Sequence, residues 1–281
     1  MARVGMNPNR AQLVDIKLPP EIPVVAIVTH LPDTTSEYHR DRWEIVTSSL
    51  KLARKHVDTE CHLLIWDNGS MPKLREWLFY EYKPDKLMFT ENTGTQNTMR
   101  RIMSMYHDSI VAYSNDDILY YPAWLPEQIH ILQTFPNVGA VSGCVTRYYM
   151  GRQVITSLVW AERVENKQIR EIPNDWDFQH ALSVGRAEEH ISNEVKDIHP
   201  LLVEWNGAQA FVGGTHCQFV GYANRVYPLL YKSNKLMGEL SPFDVRMDDA
   251  GLLRLLTSTR RTRHIGNRMT KEDREEIERL L

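Results

Sequence analysis

Two adjacent aspartates, Asp116 and Asp117, follow the apolar run SIVAYS after a single asparagine. Neighbouring carboxylates repel each other, and neither stabilises an apolar core. A hard divalent cation such as Mg²⁺ or Mn²⁺ takes carboxylate oxygens and often shares the phosphate oxygens of a substrate. A bound metal ion would therefore explain the pair. The structural alternative is a turn or a helix N-cap, because Asn and Asp favour both.

Other polar residues end two further apolar runs. Thr29 and His30 end PVVAIVTH, and Asp67 and Asn68 end LLIWDN. Ligands of open α/β sheets bind at the carboxyl ends of the strands, so we expect these residues to gather near the aspartate pair. Asp67 suits a hydrogen bond from a ligand N–H or hydroxyl group. The NGS sequence beside it also suits a structural turn or a helix cap.

A second acidic pair, Asp248 and Asp249, precedes the apolar run GLLRLL. From the residues alone, acids at a helix N-terminus, stabilised by the helix dipole, are the simpler interpretation. The functional alternative is a general base that faces the first pair. His264, in TRHIGN, suits a metal ligand, a phosphate contact or a core histidine.

The elements that would position these residues alternate between strand and helix through the first half. Apolar, β-branched runs predict strands, and apolar residues at helical spacing predict helices. Thr34 and Glu37 have capping-box spacing and would begin the first helix. The predicted strands span 23–30, 61–67, 86–92, 109–114 and 138–147. This alternation predicts βαβ units around a mostly parallel sheet.

The second half of the chain is less regular. Residues 148–206 combine the strand-like run QVITSLVW with polar sequence and three tryptophans. Residues 248–259 predict a short amphipathic helix, and Thr270 would begin a terminal helix.

Composition limits the class of protein. The 281 residues, 42% apolar and 25% charged, suit one large globular domain, and the net charge of −3 does not support a nucleic-acid partner. Three widely spaced cysteines argue against a disulfide framework and fit a reducing compartment. Because we find neither a secretory signal nor a membrane-spanning apolar run, we expect a cytoplasmic protein, with peripheral attachment to a membrane left open.

Taken in order, the motifs PVVAIVTH, LLIWDNGS, ENTGTQNTMR, VAYSNDDILYYPAWL, MDDAGLLRLL and RHIGN resemble those of glycosyltransferase family 2. The resemblance covers residues 23–147 well and 208–267 loosely. It implies the GT-A fold, a single Rossmann-like α/β domain with a mostly parallel sheet flanked by helices and an irregular acceptor side. The implied division is an N-terminal arm (1–22), a nucleotide-sugar-binding half (23–147), an acceptor-binding and catalytic half (148–267) and a C-terminal helix (268–281).

The resemblance also implies roles for single residues. Positions that match the family's nucleotide-sugar contacts are Thr29, Asp67, Asn68, Asn92, Gly94 and Asp116. Asn68 stands where the family has a second acid. Asp116 and Asp117, helped by His264, would hold Mn²⁺ or Mg²⁺ on the diphosphate. Asp249 would be the catalytic base, with Asp248 as the alternative, and the irregular stretch would shape the acceptor site.

The function implied is metal-dependent, hexosyltransferase-like transfer of a sugar from a nucleotide-diphospho-sugar to the hydroxyl of a saccharide or other acceptor, with inversion. One alternative is a sugar-phosphate nucleotidyltransferase, although the glycine-rich loop of that class is missing after the first strand. Another is a non-catalytic nucleotide- or carbohydrate-binding module of the same fold. The oligomeric state is left open.

Overall fold

A computed structural model describes residues 22–151, 153–236 and 241–281. The predicted N-terminal arm therefore lies outside the described residues, apart from Ile22. In the part that is described, no helix has both the length and the apolar character needed to cross a membrane.

A ten-stranded sheet and a two-stranded sheet form the framework of the described chain. The strands are β1 (Val24–Thr29), β2 (His62–Asn68), β3 (Lys86–Thr90), β4 (Ile110–Asn115), β5 (Ile118–Tyr120), β6 (Val138–Ser142), β7 (Lys167–Ile169), β8 (Leu201–Trp205), β9 (Ala208–Val212), β10 (Gln218–Tyr222), β11 (Leu253–Thr257) and β12 (Thr262–His264). The large sheet has the order β3-β2-β1-β4-β10-β6-β11-β9-β8-β7, and β5 pairs with β12.

The first four strands of the large sheet are parallel. β10 is antiparallel to both β4 and β6, which therefore run in the same direction, and β11 is parallel to β6. The carboxyl ends of β1, β2, β3, β4, β6 and β11 thus lie at one edge. The mostly parallel sheet of an α/β fold, predicted from the sequence, is confirmed.

Helices cover both faces of this sheet. They are α1 (Arg42–Lys55), α2 (Pro72–Trp77), α3 (Thr95–Met105), α4 (Trp124–Thr134), α5 (Arg147–Met150), α6 (Ile155–Glu162), α7 (Asn174–Ser183), α8 (Glu188–Val195), α9 (Ala223–Val226), α10 (Ser241–Asp249) and α11 (Lys271–Leu280). A π-helical turn, Leu78–Tyr82, extends α2, and a 3₁₀ turn, Tyr227–Leu229, follows α9.

β1 shows why its sequence forms a strand. Val25 and Ile27 belong to the core on one face of the sheet, and Val24, Ala26 and Val28 belong to the core on the other. A near-continuous apolar run is expected of a strand that is buried on both sides. The sheet continues across the predicted boundary at residue 147, because β10 lies between β4 and β6.

The first predicted helix begins later than its capping-box spacing suggested. α1 starts at Arg42, and Thr34 lies in the irregular connection before it. The reason is the neighbouring Asp33, whose Oδ1 accepts the backbone N–H groups of Thr35 and Ser36 at 2.9 and 2.8 Å. These bonds form a local turn in which an aspartate competes with helix initiation.

Two further predictions in the second half were wrong. The strand-like run QVITSLVW contributes most of helix α6, and residues 248–259 do not form a helix. Instead, α10 ends at Asp249, Gly251 takes a φ of +70°, and β11 follows. A glycine with positive φ is a common helix terminator, and the apolar run after it becomes a strand buried on both faces.

Candidate functional site

A cavity of about 750 Å³ opens at the edge where the parallel strands end. Six of the residues singled out from the sequence line this cavity, and they are His30, Asn68, Asn92, Asp116, Asp117 and His264. The structure therefore brings together residues that are far apart in the chain, as expected for ligand sites of open α/β sheets.

The two-stranded sheet explains how His264 reaches the aspartate pair. Asp116 and Asp117 occupy the two positions between β4 and β5. β12 runs antiparallel to β5 with His264 opposite Ile118, and the Ile265 N–H donates to the Asp117 carbonyl at 2.9 Å. This pairing places the imidazole Nε2 3.3 Å from Asp117 Oδ2. Nδ1 of the same ring lies 3.0 Å from Ser183 Oγ.

Arg42, which the sequence analysis did not identify, contacts both aspartates. Its side chain donates to Asp116 Oδ1 and, at 3.5 Å, to Asp117 Oδ2. The other oxygen of Asp116 accepts the His30 backbone N–H at 2.9 Å. Arg42 is only 5% exposed, so this ion pair is buried. Asp117 Oδ1 is also buried, and it has no hydrogen-bond partner among the described residues.

These contacts set the protonation of the cluster. Burial alone would lower the pKa of His264, but Asp117 outweighs burial and raises it to about 9. Burial would raise the pKa of Asp117, yet His264 and Arg42 hold that pKa below its usual value. Burial and the Asp117 charge raise the pKa of Asp116, and Arg42 and the His30 N–H act in the opposite direction. The imidazolium of His264 is therefore the expected form at neutral pH.

A polar network forms the wall contributed by β1, β2 and the connection after β3. Asn68 accepts the Thr93 N–H at 3.0 Å through Oδ1 and donates to Asn92 Oδ1 at 3.1 Å. His30 Nδ1 lies 2.9 Å from the Asn68 carbonyl. Gly94 does not line the cavity, but its φ is +83°, and an added Cβ would lie 2.4 Å from the Lys235 carbonyl. Glycine at this position is therefore required for packing.

Thr29 and Asp67, which were expected to contact the nucleotide, are fully buried and do not line the cavity. Asp67 Oδ1 accepts from Arg75 Nε at 2.7 Å and from the Ser70 N–H at 3.2 Å. Asp67 Oδ2 accepts from the Thr29 hydroxyl at 3.2 Å. Both carboxylate oxygens thus have partners within the protein, and the structural-turn interpretation of Asp67 is the better one.

Asp248 and Asp249 do not reach this cavity. They end α10, just before the amino end of β11. Because β11 runs in the direction of β4, that position lies at the opposite edge of the sheet from Asp117. Asp248 Oδ1 accepts the Thr156 N–H at 2.8 Å, and Asp249 is exposed. Their position does not support either residue as a base for chemistry at the cavity, and it also corrects the helix N-terminus interpretation.

The predicted metal site requires a separate test. In the ranges that are described, no group of three or more His, Cys, Asp and Glu side chains is arranged to hold a metal ion. Arg42 already contacts both Asp116 and Asp117, and the remaining Asp117 oxygen is enclosed. As arranged, these residues do not fit Mn²⁺ or Mg²⁺.

The irregular stretch contributes the far wall of the cavity. Residues 182–185, at the end of α7, line it, whereas the three tryptophans of the stretch do not. Gly266 lies against this segment with a φ of +70°, and an added Cβ would lie only 1.9 Å from the Ser183 carbonyl. The glycine of the HIGN sequence is thus needed where the second sheet meets α7.

Sequence reasoning missed two arginines and a histidine that line the cavity: Arg42, Arg268 and His39. A signal for Arg42 exists in the sequence. It occupies the buried stripe of α1 together with Ile45, Val46 and Ser49, at the spacing of one helix face. A charge in such a stripe requires a partner of opposite charge. Nothing in the local sequence identifies that partner as the Asp116–Asp117 pair.

The thiol of Cys217 lies beside the site, immediately before β10. The Cys217 carbonyl accepts the Asn115 N–H at 2.9 Å, and its Sγ lies 4.0 Å from the Tyr149 hydroxyl. Its neighbour His216 is 2.6 Å from Asp244. Burial would raise the pKa of Cys217, but the charges of His216 and His264 outweigh burial and lower it to about 7.

Comparisons with known proteins complete the description. No protein-family profile and no curated protein sequence matches this chain. Among solved structures, 4-diphosphocytidyl-2C-methyl-D-erythritol synthase is similar with a TM-score of 0.45 and 9% identity, covering 92% of this chain and 99% of that one. Glucosyl-3-phosphoglycerate synthase from Mycobacterium tuberculosis, in complex with Mn²⁺, uridine diphosphate and glucosyl-3-phosphoglycerate, has a TM-score of 0.45 and 12% identity, and the match covers 92% of this chain and 77% of that one. A mycobacterial protein has a TM-score of 0.46 and 14% identity, and the match covers 90% of this chain and 70% of that one. These similarities are loose, and the strand order and contacts given above define the fold and the site.

Proposed function

We propose that the cavity binds a nucleotide-diphospho-sugar and that the chain transfers the sugar to a hydroxyl acceptor. The observation that carries this proposal is the meeting, at one cavity, of residues from separate parts of the chain between Val28 and Arg268. Its volume, about 750 Å³, is within the usual range for small-molecule sites, roughly 300 to 1,000 Å³. The resemblance of the sequence motifs to glycosyltransferase family 2 supports the same assignment.

The charges of the cavity suit a diphosphate leaving group. Arg42, Arg268 and the His264 imidazolium line it. Fixed cationic groups stabilise negative charge that develops as a nucleoside diphosphate leaves, and they are more effective where water is excluded. Asp116 and Asp117 are the carboxylates of the described lining, and both are ion-paired. The proposal therefore concerns donor binding and leaving-group stabilisation.

A nucleotide panel tests the proposal. Nucleoside diphosphates and sugar nucleotides with each common base would be titrated by calorimetry and by thermal shift. We expect one base to raise the melting temperature, and we expect His264→Gln to weaken its binding about tenfold, because a charged hydrogen bond to phosphate is lost. His130→Gln is the matched control, because His130 is exposed and lies outside the cavity.

Catalysis is tested with the sugar nucleotide that binds best. Slow release of nucleoside diphosphate in water, reduced by His264→Gln but not by His130→Gln, would support a transferase. Binding without release, with any acceptor tried, would indicate a non-catalytic module. If no nucleotide of the panel binds, the proposed function is wrong.

A further inference from the structure

Arg42 is a buried residue whose position is set by helix α1. It begins α1 and lies on the face of that helix that packs into the core, where its side chain is nearly completely buried. From there the guanidinium bridges two neighbouring carboxylates, Asp116 and Asp117. Arg40, two residues earlier, has a largely exposed side chain. Burial therefore distinguishes Arg42 from its near neighbour Arg40.

Three of the four carboxylate oxygens of the aspartate pair already have partners within the protein. Asp116 accepts from Arg42 and from the His30 N–H, and Asp117 Oδ2 is shared by Arg42 and His264. The remaining oxygen, Asp117 Oδ1, is enclosed by protein. Mg²⁺ and Mn²⁺ bind through oxygen lone pairs and dehydrate reluctantly. A hydrated ion could reach these oxygens only after Arg42 has left.

The guanidinium of an arginine is effectively always protonated in proteins. It has more N–H donors than are needed for its hydrogen bonds to the two carboxylates. Arg42 lines the cavity as well as contacting the aspartates. One group can therefore balance the charge of Asp116 and Asp117 and still donate to an anionic ligand. In metal-dependent sites a divalent cation performs both tasks.

We propose that Arg42 takes the place of the divalent cation beside Asp116 and Asp117, so that this chain binds a nucleoside diphosphate without a metal ion. This inference rests on the proposed function for the ligand, but its statement about the metal does not depend on that function. It reverses the expectation of Mn²⁺ or Mg²⁺ drawn from the sequence.

The first test uses Mn²⁺ alone and no nucleotide. Electron paramagnetic resonance reports the fraction of free Mn²⁺ in the presence of wild type, Arg42→Ala or the control Arg40→Ala. We expect wild type and Arg40→Ala to leave the signal unchanged. Arg42→Ala frees the carboxylates and should bind Mn²⁺ at least about tenfold more tightly than wild type does. Adding Asp117→Asn to Arg42→Ala should abolish that binding.

The second test does not use Arg42→Ala, so it holds even if that variant fails to fold. The affinity for the best nucleoside diphosphate of the panel is measured with excess chelator and again with Mn²⁺. Equal affinities support the proposal. A loss in chelator that Mn²⁺ restores, or Mn²⁺ binding by wild type that Asp117→Asn removes, would overturn it. If no nucleotide binds under either condition, the proposed function fails, and the Mn²⁺ titration still decides the role of Arg42.

Discussion

At the scale of single residues, the site depends on charges that are unusual for their surroundings. Arg42 lies in an apolar helix face, two aspartates follow an apolar strand, and two histidines lower the pKa of the Cys217 thiol. Each charge is tolerated because an opposite charge lies within contact distance, since an unpaired buried charge is strongly destabilising. The chemistry of each group therefore depends on its neighbours, and a variant at one position changes the others.

Cys217 provides a prediction for reactivity. Its thiolate should be alkylated by iodoacetamide with a midpoint near pH 7, because neighbouring histidines stabilise the negative charge. Burial raises the pKa of Cys144 to about 12 and that of Cys61 to about 11, so these thiols should react slowly at neutral pH. Since the folded pKa lies below the unfolded value of 9.0, the stabilising contribution is complete above pH 9 and is lost as the pH falls through 7.

Two variants control the alkylation experiment. Cys217→Ser should remove the fast phase, and His216→Gln should move the midpoint upward, toward the ordinary thiol value. A wild-type midpoint near 9 would show that the histidines do not act on this thiol.

Site residues could be predicted where a polar side chain follows an apolar strand. Asp116, Asp117 and Asn68 follow apolar runs, and a parallel sheet brings such positions to one edge. His264 was identified through the motif resemblance, and its contact with Asp117 depends on the short pairing of β5 with β12. Arg42 was missed because its partners lie more than seventy residues away, and local sequence does not record distant contacts.

At the scale of elements, the junction between β12 and α7 determines the shape of the cavity. β12 ends at His264, and Gly266 then turns the chain with a positive φ directly against Ser183 at the end of α7. The imidazole and the serine that contacts it are thereby held at a fixed separation. The contact between the end of β12 and the end of α7, more than either side chain alone, positions this wall of the cavity.

Gly266→Ala tests that junction. The new Cβ would collide with the Ser183 backbone, so we expect lower stability and weaker nucleotide binding. Gly207→Ala is the matched control, because Gly207 also has a positive φ but nothing lies within 4 Å of an added Cβ. In denaturant unfolding, Gly207→Ala should lower the free energy of unfolding only by the backbone strain, about 1 to 2 kcal/mol. Equal losses for the two variants would contradict a packed junction at Gly266.

The elements themselves were predicted well where one local pattern dominates. β1, β2 and β4 are buried on both faces, and their apolar runs identify them, whereas β3 at the edge of the sheet is partly exposed. The helix prediction for residues 248–259 failed because a run such as LLRLL suits a buried strand as well as a helix. In the structure, pairing with the neighbouring strands makes it a strand. Gly251 was the available signal, because a glycine at that point ends a helix more readily than it continues one.

At the scale of the whole molecule, α11 connects the two elements that carry Arg42 and His264. Arg263 of β12 contacts Asp273 at 2.5 Å and Glu276 at 2.8 Å, and Arg274 contacts Glu44 of α1 at 3.0 Å. Asp273 also forms a capping box with Thr270, the residue predicted to begin the terminal helix. The terminal helix thus braces the site from outside.

Asp273→Ala tests this brace. The variant removes a helix cap and one partner of the buried Arg263, and we expect a loss of the order of 3 kcal/mol in the free energy of unfolding. Burial would raise the pKa of Asp273, but Arg263 and Thr270 outweigh burial and lower it. The contribution should therefore be present above the unfolded value of 3.8 and lost as the pH falls below it.

The exposed pair of Lys271 and Glu275 supplies the control on the same helix. Lys271→Ala should change stability by less than about 0.5 kcal/mol, because exposed ion pairs contribute little. If Asp273→Ala costs no more than Lys271→Ala, the terminal helix does not brace the site.

The insertion of β10 between β4 and β6 has a consequence for folding during synthesis. β4 and β6 leave the ribosome well before residues 218–222, so each of them keeps an unpaired edge until β10 has been synthesised. Such edges favour aggregation, and pairings between distant segments are slow to form. A nascent chain that stops before β10 would be a poor folding unit. The aspartate pair, which ends β4 beside that gap, would reach its final surroundings only near the end of synthesis.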